Sequence, residues 1–378
     1  MTTFSRTNIS VIGRWWLTVD RWTIAALIVL GAFGTVLAMA ASPAVAEHLG
    51  KDIFYFAKRQ LFFLAPAMAT MLALSLLGEQ GIRRVSLAIL AGSFALMVLV
   101  LVHGIEIKGA TRWISIAGVT LQPSEFMKPV FIVLSAWMFT QWRLRGDLAA
   151  FIFAIATYAV AIVLLLAQPD VGMALLVSMV WGVQFFLAGL PMLLVVGIGV
   201  LFVAGGVGAY FEFDHVHQRV DRFLDPQGQE AYQVSRSLEA FRNGGIYGVG
   251  PGEGQVKAVL PDAHADFVFA VVGEEFGLIP ALLIVAVFAF VVMRGLGRVF
   301  KSSNLFAQLA VVGLLTQFGL QAIINMASTL NLMPTKGMTL PFISYGGSSM
   351  LALAIGMGMV LALTRDRPGP GLSTRGWR

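Results

Sequence analysis

The 378-residue sequence contains no cysteine, which excludes disulfide bonds, thiolate nucleophiles and thiolate metal ligands. It is also poor in charge, since only 12% of its residues are Asp, Glu, Lys or Arg, whereas 58% are hydrophobic. Together with a mean hydropathy of +0.82, this composition is typical of a polytopic membrane protein. The net charge of +6 is expected from membrane topology and anionic lipid, so no nucleic-acid partner is predicted.

Apolar runs long enough to cross a bilayer recur along the whole chain. A helix needs about 20 apolar residues to span the hydrocarbon. We therefore predict an all-α polytopic membrane protein with ten transmembrane helices in one bundle, residues 22–364. Residues 1–21 precede the bundle, and a Pro/Gly-rich tail, residues 365–378, follows it. The ten runs lie near residues 22–43, 58–78, 85–104, 126–142, 148–168, 171–189, 191–211, 265–293, 304–328 and 348–364.

The distribution of Lys and Arg predicts the orientation of the bundle. One set of connecting segments and termini carries 14 of these residues, and the short loops of the opposite set carry 7. By the positive-inside rule both termini are cytoplasmic, and the large loop of residues 212–264, between helices 7 and 8, is extracytoplasmic. A cleavable signal peptide ending at Ala44-Val-Ala is a weaker alternative, because nine more spans follow.

The first polar cluster is an outward loop, residues 108–128, that leads into the fourth predicted span. Arg112 can bind a phosphate or carboxylate through two parallel hydrogen bonds, and Trp113 offers a stacking face. Gly109 and Gly118 suit a tight two-stranded turn. Arg112 and Trp113 are therefore candidates for binding a ligand that carries a phosphate or carboxylate and a ring.

The end of this loop carries a Gln-Pro-Ser-Glu sequence that starts at Gln122. Pro123 suits the first turn of a helix, and Ser124 or Glu125 can cap its free N–H groups, so capping alone is one explanation. Capping does not explain Lys128, which lies three residues after Glu125 on the same helical face. Lys128 is predicted to bind substrate, with Gln122 and Glu125 in supporting roles.

Three other carboxylates need partners. Asp170 lies in a short turn with Pro and Gly, where it either caps the next helix or orients a base from the large loop. Glu274 and Glu275 lie inside the eighth predicted span, where an unpaired charge is costly. We expect Lys128 or Arg112 to pair with them in a structural polar link.

The large loop combines spaced arginines with many glycines. Arg219 and Arg222 can grip a diphosphate, and Lys257 is a further candidate for that contact. The glycines between residues 243 and 252 permit close approach of the backbone to a ligand. A merely solvated loop is the alternative interpretation.

Asp266 stands where this loop re-enters the membrane, at the start of the eighth span. The helix dipole favours its ionised form there, and an ionised carboxylate can accept a proton. Spacing alone leaves general base and helix N-cap as equal alternatives. His264 is a second possible base, and Asp262 can share the same face.

The last cluster, residues 332–349, contains Lys336, which can bind an anion. Ser344, Gly346 and Gly347 can form a re-entrant turn with exposed N–H groups. Such backbone is tolerated at membrane depth only within protein or beside a polar cavity. Lys336 and Ser344 are therefore predicted to contact substrate.

These clusters, in this order, resemble the SEDS family (shape, elongation, division and sporulation) of peptidoglycan polymerases, over nearly all of the chain. The last motif resembles division members rather than elongation members, which typically lack its Thr-Lys-Gly. The chain departs from the family pattern at Ala265, where Thr is usual, at Asp262, where Glu is usual, and at Arg236, where Gln is common. The motifs are Lys108-Gly-Ala-Thr-Arg-Trp-Ile with Gln122-Pro-Ser-Glu, Gln168-Pro-Asp-Val-Gly, Tyr232-Gln233, Leu260-Pro-Asp-Ala-His-Ala-Asp-Phe and Pro334-Thr-Lys-Gly-Met-Thr-Leu-Pro-Phe-Ile-Ser-Tyr-Gly-Gly-Ser-Ser.

The resemblance implies a ten-helix glycosyltransferase that polymerises lipid II on the outer face of the bacterial cytoplasmic membrane, at the division septum. The essential aspartate of the family falls on Asp266. It is expected to take the proton of the acceptor GlcNAc 4-hydroxyl, which displaces undecaprenyl diphosphate from MurNAc and forms a β-1,4 linkage. The implied partners are lipid II, the growing glycan strand, a class B penicillin-binding protein transpeptidase, other division proteins and membrane lipid.

The sequence contains no metal-binding motif, so no resident cofactor is expected. A Mg²⁺ or Mn²⁺ ion held through the substrate diphosphate stays open. Two other classes of function also stay open. A lipid II flippase would use Asp266 only to shape a gate, and a noncatalytic scaffold would recruit the transpeptidase without needing Asp266.

Overall fold

The computed structural model describes residues 11–48, 50, 52–107, 110–116, 119–189, 192–212, 217, 221, 229–260, 263–334 and 337–365. Helices dominate this part of the chain, and one small sheet interrupts them. The helices are α1 Val11–Thr18, α2 Arg21–His48, α3 Tyr55–Ser75, α4 Glu79–His103, α5 Pro123–Arg145, α6 Leu148–Ala167, α7 Val171–Leu187, α8 Met192–Glu212, α9 Gln229–Gly244, α10 Val256–Val259, α11 Val268–Glu275, α12 Leu278–Val299, α13 Leu305–Thr329 and α14 Gly347–Leu363. The strands are β1 Ile105–Ile107, β2 Ala110–Ile116 and β3 Val119–Leu121.

Five helices of the described chain are long and apolar enough to cross a membrane: α4, α6, α12, α13 and residues 21–42 of α2. The most apolar stretch of α6 is only 22% buried, whereas that of α13 is 78% buried. Since an apolar surface without a protein partner belongs in lipid, α6 lies at the bundle edge and α13 in its interior. The predicted all-α membrane fold is confirmed, and the count of ten spans stays a prediction.

The centre of the bundle is formed by α14, which packs between α3 and α5. Small residues on α14 let the helices approach closely, as is usual where no hydrophobic effect drives association. A Cβ at Gly358 would lie 2.7 Å from the Met71 carbonyl oxygen, and one at Gly347 would lie 2.8 Å from the Phe63 ring. Helix α3 is therefore pressed against α14 at both ends.

The eighth predicted span, residues 265–293, is wrong as a single helix, because the chain breaks between α11 and α12. Gly277 at the break has φ +83°, a conformation that side-chain-bearing residues rarely adopt. The backbone N–H of Val249 donates to the Glu274 carbonyl at 3.0 Å, and the N–H of Leu278 donates to the Gly245 carbonyl at 3.0 Å. The loop after α9 thus satisfies backbone groups that the break leaves free.

Glycines of this loop approach the broken helix rather than a ligand. A Cβ at Gly248 would lie 2.2 Å from the Glu275 carbonyl oxygen, and a Cβ at Gly244 would lie 1.9 Å from that of Gly273. No side chain fits at such distances. The close backbone approach predicted from glycine density is present, and its partner is the chain itself.

The loop between α4 and α5 folds into a three-stranded antiparallel sheet of order β1-β2-β3, one strand more than the predicted two-stranded turn. Trp113 of β2 pairs with Ile105 of β1, and Ile114 pairs with Leu121 of β3. The sheet carries Arg112 towards the turn between α6 and α7, and β3 leads directly into α5.

A cluster of ion pairs and hydrogen bonds ties helices together at the other end of the bundle. Arg294 of α12 donates to Asp20, between α1 and α2, at 2.9 and 2.7 Å. Arg365, after α14, donates to the Ser75 carbonyl at 3.2 Å. Burial favours a raised pKa at Asp20, but hydrogen bonds from Arg294 and Thr23 outweigh it and hold the pKa below its ordinary value. Assignment of this end to the cytoplasm stays a prediction.

Replacing Gly277 by Ala is expected to destabilise the fold. The substitution forces a Cβ into left-handed backbone and to within 2.4 Å of the Gly248 nitrogen, and such strain costs about 1–3 kcal/mol. Thermal unfolding of the detergent-solubilised protein should show a lower midpoint. The matched control is Gly297→Ala in α12, where an added Cβ meets nothing within 4 Å. An unchanged midpoint for Gly277→Ala would contradict the strained break.

Candidate active site

Residues 264–266 form a turn, and three hydrogen bonds to its backbone carbonyls hold it in place. The N–H of Tyr345 donates to the His264 carbonyl at 3.0 Å, and the hydroxyl of Ser344 donates to the Ala265 carbonyl at 2.6 Å. The side-chain amide of Asn325 donates to the Asp266 carbonyl at 3.0 Å. Every carbonyl of the turn is therefore fixed, and the half-buried Asp266 carboxylate is not used for that purpose.

Segment 337–346 passes directly beside this carboxylate. A Cβ built on Gly337, which has φ +61°, would lie 3.6 Å from Asp266 Oδ2. Asn325 also donates to the Met338 carbonyl at 2.6 Å, so one amide connects the turn with the segment that faces it. Asp266 is not the N-cap of α11, because that position is occupied by Phe267. The capping alternative is therefore wrong, and the chemical role stays a prediction.

His264 is packed between aromatic rings. Its ring centroid lies 4.3 Å from that of Phe56 on α3 and 5.5 Å from that of Tyr345. These tilted ring contacts hold the imidazole beside the turn. Burial raises the pKa of Tyr345, although the nearby guanidinium of Arg59 opposes that rise.

Arg112 is bound to the turn between α6 and α7. Its guanidinium donates to the Gln168 carbonyl at 3.0 Å and to the Pro169 carbonyl, and lies 3.4 Å from Asp170 Oδ1. Asp170 also accepts the Met173 N–H at 3.2 Å and so caps α7. Burial raises the pKa of Asp170, and Arg112 opposes the rise. Asp170 therefore fulfils the predicted capping role and orients Arg112.

Gln122 and Ser348 join the sheet to this cluster. The amide of Gln122 donates to Ser124 at 3.2 Å and to Asp170 at 3.5 Å, while its backbone N–H donates to the Ser348 hydroxyl at 3.2 Å. Trp113 is half-buried in β2 nearby. The structure thus brings together Arg112, Gln122 and Asp170 from three separate motifs.

Lys128 and Glu125 form a buried ion pair in α5. Lys128 Nζ lies 2.9 Å from Glu125 Oε2 and donates to Gln321 at 3.3 Å. Glu125 is therefore a partner of Lys128 and not a helix cap, since Gln122 takes the N-cap position without a side-chain capping bond. Gln321 in turn donates to the Thr339 carbonyl at 3.0 Å. This pair is linked to the segment that faces Asp266.

The expected pairing of Glu274 and Glu275 with Lys128 or Arg112 is wrong, because Lys257 is the partner. Lys257 Nζ donates to Glu275 at 2.5 Å, to the Ala40 carbonyl at 3.0 Å and to the Gly252 carbonyl at 2.8 Å. Glu274 accepts the backbone N–H of Val256 at 2.9 Å and that of Gln255 at 3.0 Å. The predicted structural polar link is present. It joins the segment before Asp266, which carries Lys257, to the segment after Asp266, which carries Glu274 and Glu275.

Three predicted substrate contacts lie outside the described residues: Arg219, Arg222 and Lys336. Asp262 does as well. Ser344 is described and only 3% exposed, with its hydroxyl engaged between Ala265 and Leu340. The structure places it as a support of the Asp266 turn.

A stripe of buried amides on α13 was missed in the sequence. Gln317, Gln321 and Asn325 recur every four residues, so they share one helical face. Each is at most 4% exposed. Polar side chains at this spacing inside an otherwise apolar span indicate a polar partner within the bundle. Gln321 donates to the Thr339 carbonyl, and Asn325 donates to the Asp266 carbonyl.

The described residues contain no group of three or more His, Cys, Asp or Glu side chains placed to hold a metal ion. The candidate site combines a carboxylate on a fixed turn with cations that are paired with carboxylates, and its residues come from α3, α5, α13 and the segment after α13.

Comparison with known proteins gives several full-length matches. The family model for FtsW, RodA and SpoVE, described as "Cell cycle protein", matches residues 20–368. The probable peptidoglycan glycosyltransferase FtsW of Caulobacter vibrioides is 47% identical, over 97% of this chain and 94% of that protein. A protein of the same name from Methylococcus capsulatus is 36% identical, over 90% and 88% of the two chains.

Solved structures agree with these matches. A chain of a peptidoglycan synthase complex, described as coordinating polymerization and crosslinking, is similar with a TM-score of 0.75 at 25% identity, covering 92% of this chain and 98% of that one. The rod shape determining protein RodA of Thermus thermophilus has the same fold, with a TM-score of 0.67 at 24% identity over 92% and 97% of the two chains. The resemblance drawn from the motifs is confirmed, and the chain belongs to the FtsW/RodA/SpoVE family of cell cycle proteins.

Proposed function

We propose that this protein is a peptidoglycan glycosyltransferase that polymerises lipid II into β-1,4 glycan strands, with Asp266 as general base. The observation that carries the proposal is the Asp266 turn. Its three carbonyls are held by Tyr345, Ser344 and Asn325, so the carboxylate is presented on a rigid support. Preorganised groups of this kind are what catalysis requires. The names of the family relatives support the same activity.

The reaction is a single displacement at an anomeric carbon. Asp266 takes the proton from the 4-hydroxyl of the acceptor GlcNAc, and that oxygen attacks C1 of the MurNAc that carries undecaprenyl diphosphate. The bond between C1 and the diphosphate oxygen breaks, and the electron pair leaves with the diphosphate. One inversion at C1 gives the β linkage. The general base raises the nucleophilicity of the hydroxyl as it attacks.

The leaving diphosphate gains negative charge, which cations stabilise in the transition state. Arg112 is half-buried and held at the rim of the cluster by Asp170, so it is the predicted contact of this kind that the structure supports best. Arg219, Arg222 and Lys336 complete the proposed set from the sequence alone. A Mg²⁺ or Mn²⁺ ion, if required, is carried by the diphosphate oxygens.

The cellular setting follows from the same proposal. The site faces the outer side of the cytoplasmic membrane, both termini are cytoplasmic, and the enzyme acts at the division septum. Its partner is a class B penicillin-binding protein transpeptidase. The similarity to a chain of a synthase complex that couples polymerization with crosslinking supports a partner of that activity.

Replacing Asp266 by Asn is expected to abolish polymerisation while leaving the fold intact. The turn is held through the Asp266 carbonyl, which Asn retains, whereas the amide cannot act as a base. Loss of a general base lowers rates about 10²–10⁴-fold. Glycan formation from purified lipid II is measured with the reconstituted protein and its cognate transpeptidase.

The matched control is Asp52→Asn, which alters an exposed carboxylate paired with Lys58. It should polymerise like the unmodified protein. Equal polymer from Asp266→Asn would reject Asp266 as the base. A flippase is tested in parallel by lipid II movement across vesicles, because retained transport together with no polymerisation by either protein would favour that function.

Replacing Ser344 by Ala is expected to lower kcat about tenfold with little change in KM. The hydroxyl holds the Ala265 carbonyl at 2.6 Å, so its loss loosens the carboxylate without removing a substrate contact. Steady-state polymerisation kinetics separate the two constants. Ser344→Thr keeps a hydroxyl and should recover activity, and Ser86→Ala, a buried serine on α4, serves as control. A raised KM with unchanged kcat would instead indicate a substrate contact.

A further inference from the structure

Most cations described near the site already have carboxylate partners. Lys128 is paired with Glu125, Lys257 with Glu275, and Arg112 with Asp170. Lys128 and Lys257 are also almost fully buried. A diphosphate that binds at one of these cations would therefore compete with an existing ion pair, so a further cation without a carboxylate partner is a useful addition to its contacts.

Arg59, near the start of α3, has a different environment. It forms no ion pair with any carboxylate of the described chain, and its guanidinium donates to the Tyr55 hydroxyl at 2.8 Å. The guanidinium carbon lies 5.5 Å from the centroid of the Tyr55 ring and 5.8 Å from that of Phe63. These aromatic contacts orient the planar group without neutralising its charge.

The same face of α3 forms a wall of the Asp266 turn. The ring of Phe56, three residues before Arg59, packs at a tilt against His264 with centroids 4.3 Å apart, and it meets Tyr345 edge to face at 5.2 Å. Gln60, the next residue, donates to the Ile343 carbonyl at 3.4 Å. Burial raises the pKa of Tyr345, and the charge of Arg59 opposes that rise. Arg59 is half-buried, so a ligand can reach it.

We propose that Arg59 binds the diphosphate of the prenyl-linked substrate at the wall of the Asp266 turn. A guanidinium offers two parallel N–H donors that match phosphate oxygens, and Tyr55 and Phe63 hold those donors in a fixed orientation. Arg59 lies near the start of α3, next to apolar helix surface. This position suits a ligand whose diphosphate is in contact with water and whose prenyl chain lies in the lipid. This inference rests on the proposed function and assigns a binding contact within it.

The test measures the binding of undecaprenyl diphosphate and not polymerisation. Its result therefore does not depend on whether Asp266 is the general base. Undecaprenyl diphosphate in detergent micelles is titrated into the full-length protein in complex with its cognate transpeptidase. Arg59→Gln is expected to raise Kd about tenfold or more, since a charge-assisted contact is lost. Arg59→Lys keeps the charge but loses the two parallel N–H donors of the guanidinium. Its Kd should lie between those of the unmodified protein and Arg59→Gln. Undecaprenol, which lacks the diphosphate, should bind all three proteins alike.

Lys58→Gln is the matched control, because it removes the neighbouring cation, which is exposed and paired with Asp52. Its Kd should equal that of the unmodified protein. Unfolding midpoints establish that each variant is folded. An unchanged Kd for Arg59→Gln, or an equal rise for Lys58→Gln, would overturn the proposal. Asp266→Asn should bind undecaprenyl diphosphate normally, so failure of the proposed catalytic role leaves the Arg59 result interpretable.

Discussion

The constraint on which this structure depends is that a charge or a free backbone group inside lipid must find a partner within the protein. Lys257 and Glu275 form an ion pair, so each charge has a partner. Glu274 accepts hydrogen bonds from the backbone N–H groups at the start of α10. These contacts join the chain before Asp266 to the chain after it. The chain on the two sides of the Asp266 turn is therefore joined by buried polar contacts.

The break between α11 and α12 belongs to the same constraint. A helix that stops within the membrane exposes carbonyl and N–H groups, and here the glycine loop after α9 supplies their partners. Only residues without a Cβ can approach the helix at the observed distances. One structural unit is thus formed by the glycine-rich loop, the helix break and the carboxylates of Glu274 and Glu275. This unit supports the candidate site.

The sequence predicts the larger features of this protein because they follow from composition and from spacing along the chain. Apolar runs locate α6, α7, α13 and α14 to within two residues at each end, and the turn at Asp170 is capped as its sequence suggests. Pairings between distant segments are not encoded in this way. The partner of Glu275 was assigned incorrectly because Lys257 reaches it only after the loop folds back, and nothing local to Glu275 indicates that return.

Ala265 shows how a departure from a family pattern can be accommodated. The resemblance implies a threonine at this position, and the chain lacks its hydroxyl. The structure provides a hydroxyl from another segment, since Ser344 donates to the Ala265 carbonyl at 2.6 Å. Because this bond is made to the backbone, the side chain at 265 is not needed for it. The turn that carries Asp266 is therefore held by Asn325 of α13 and by Ser344 and Tyr345 after that helix, through contacts that do not use the side chain at 265.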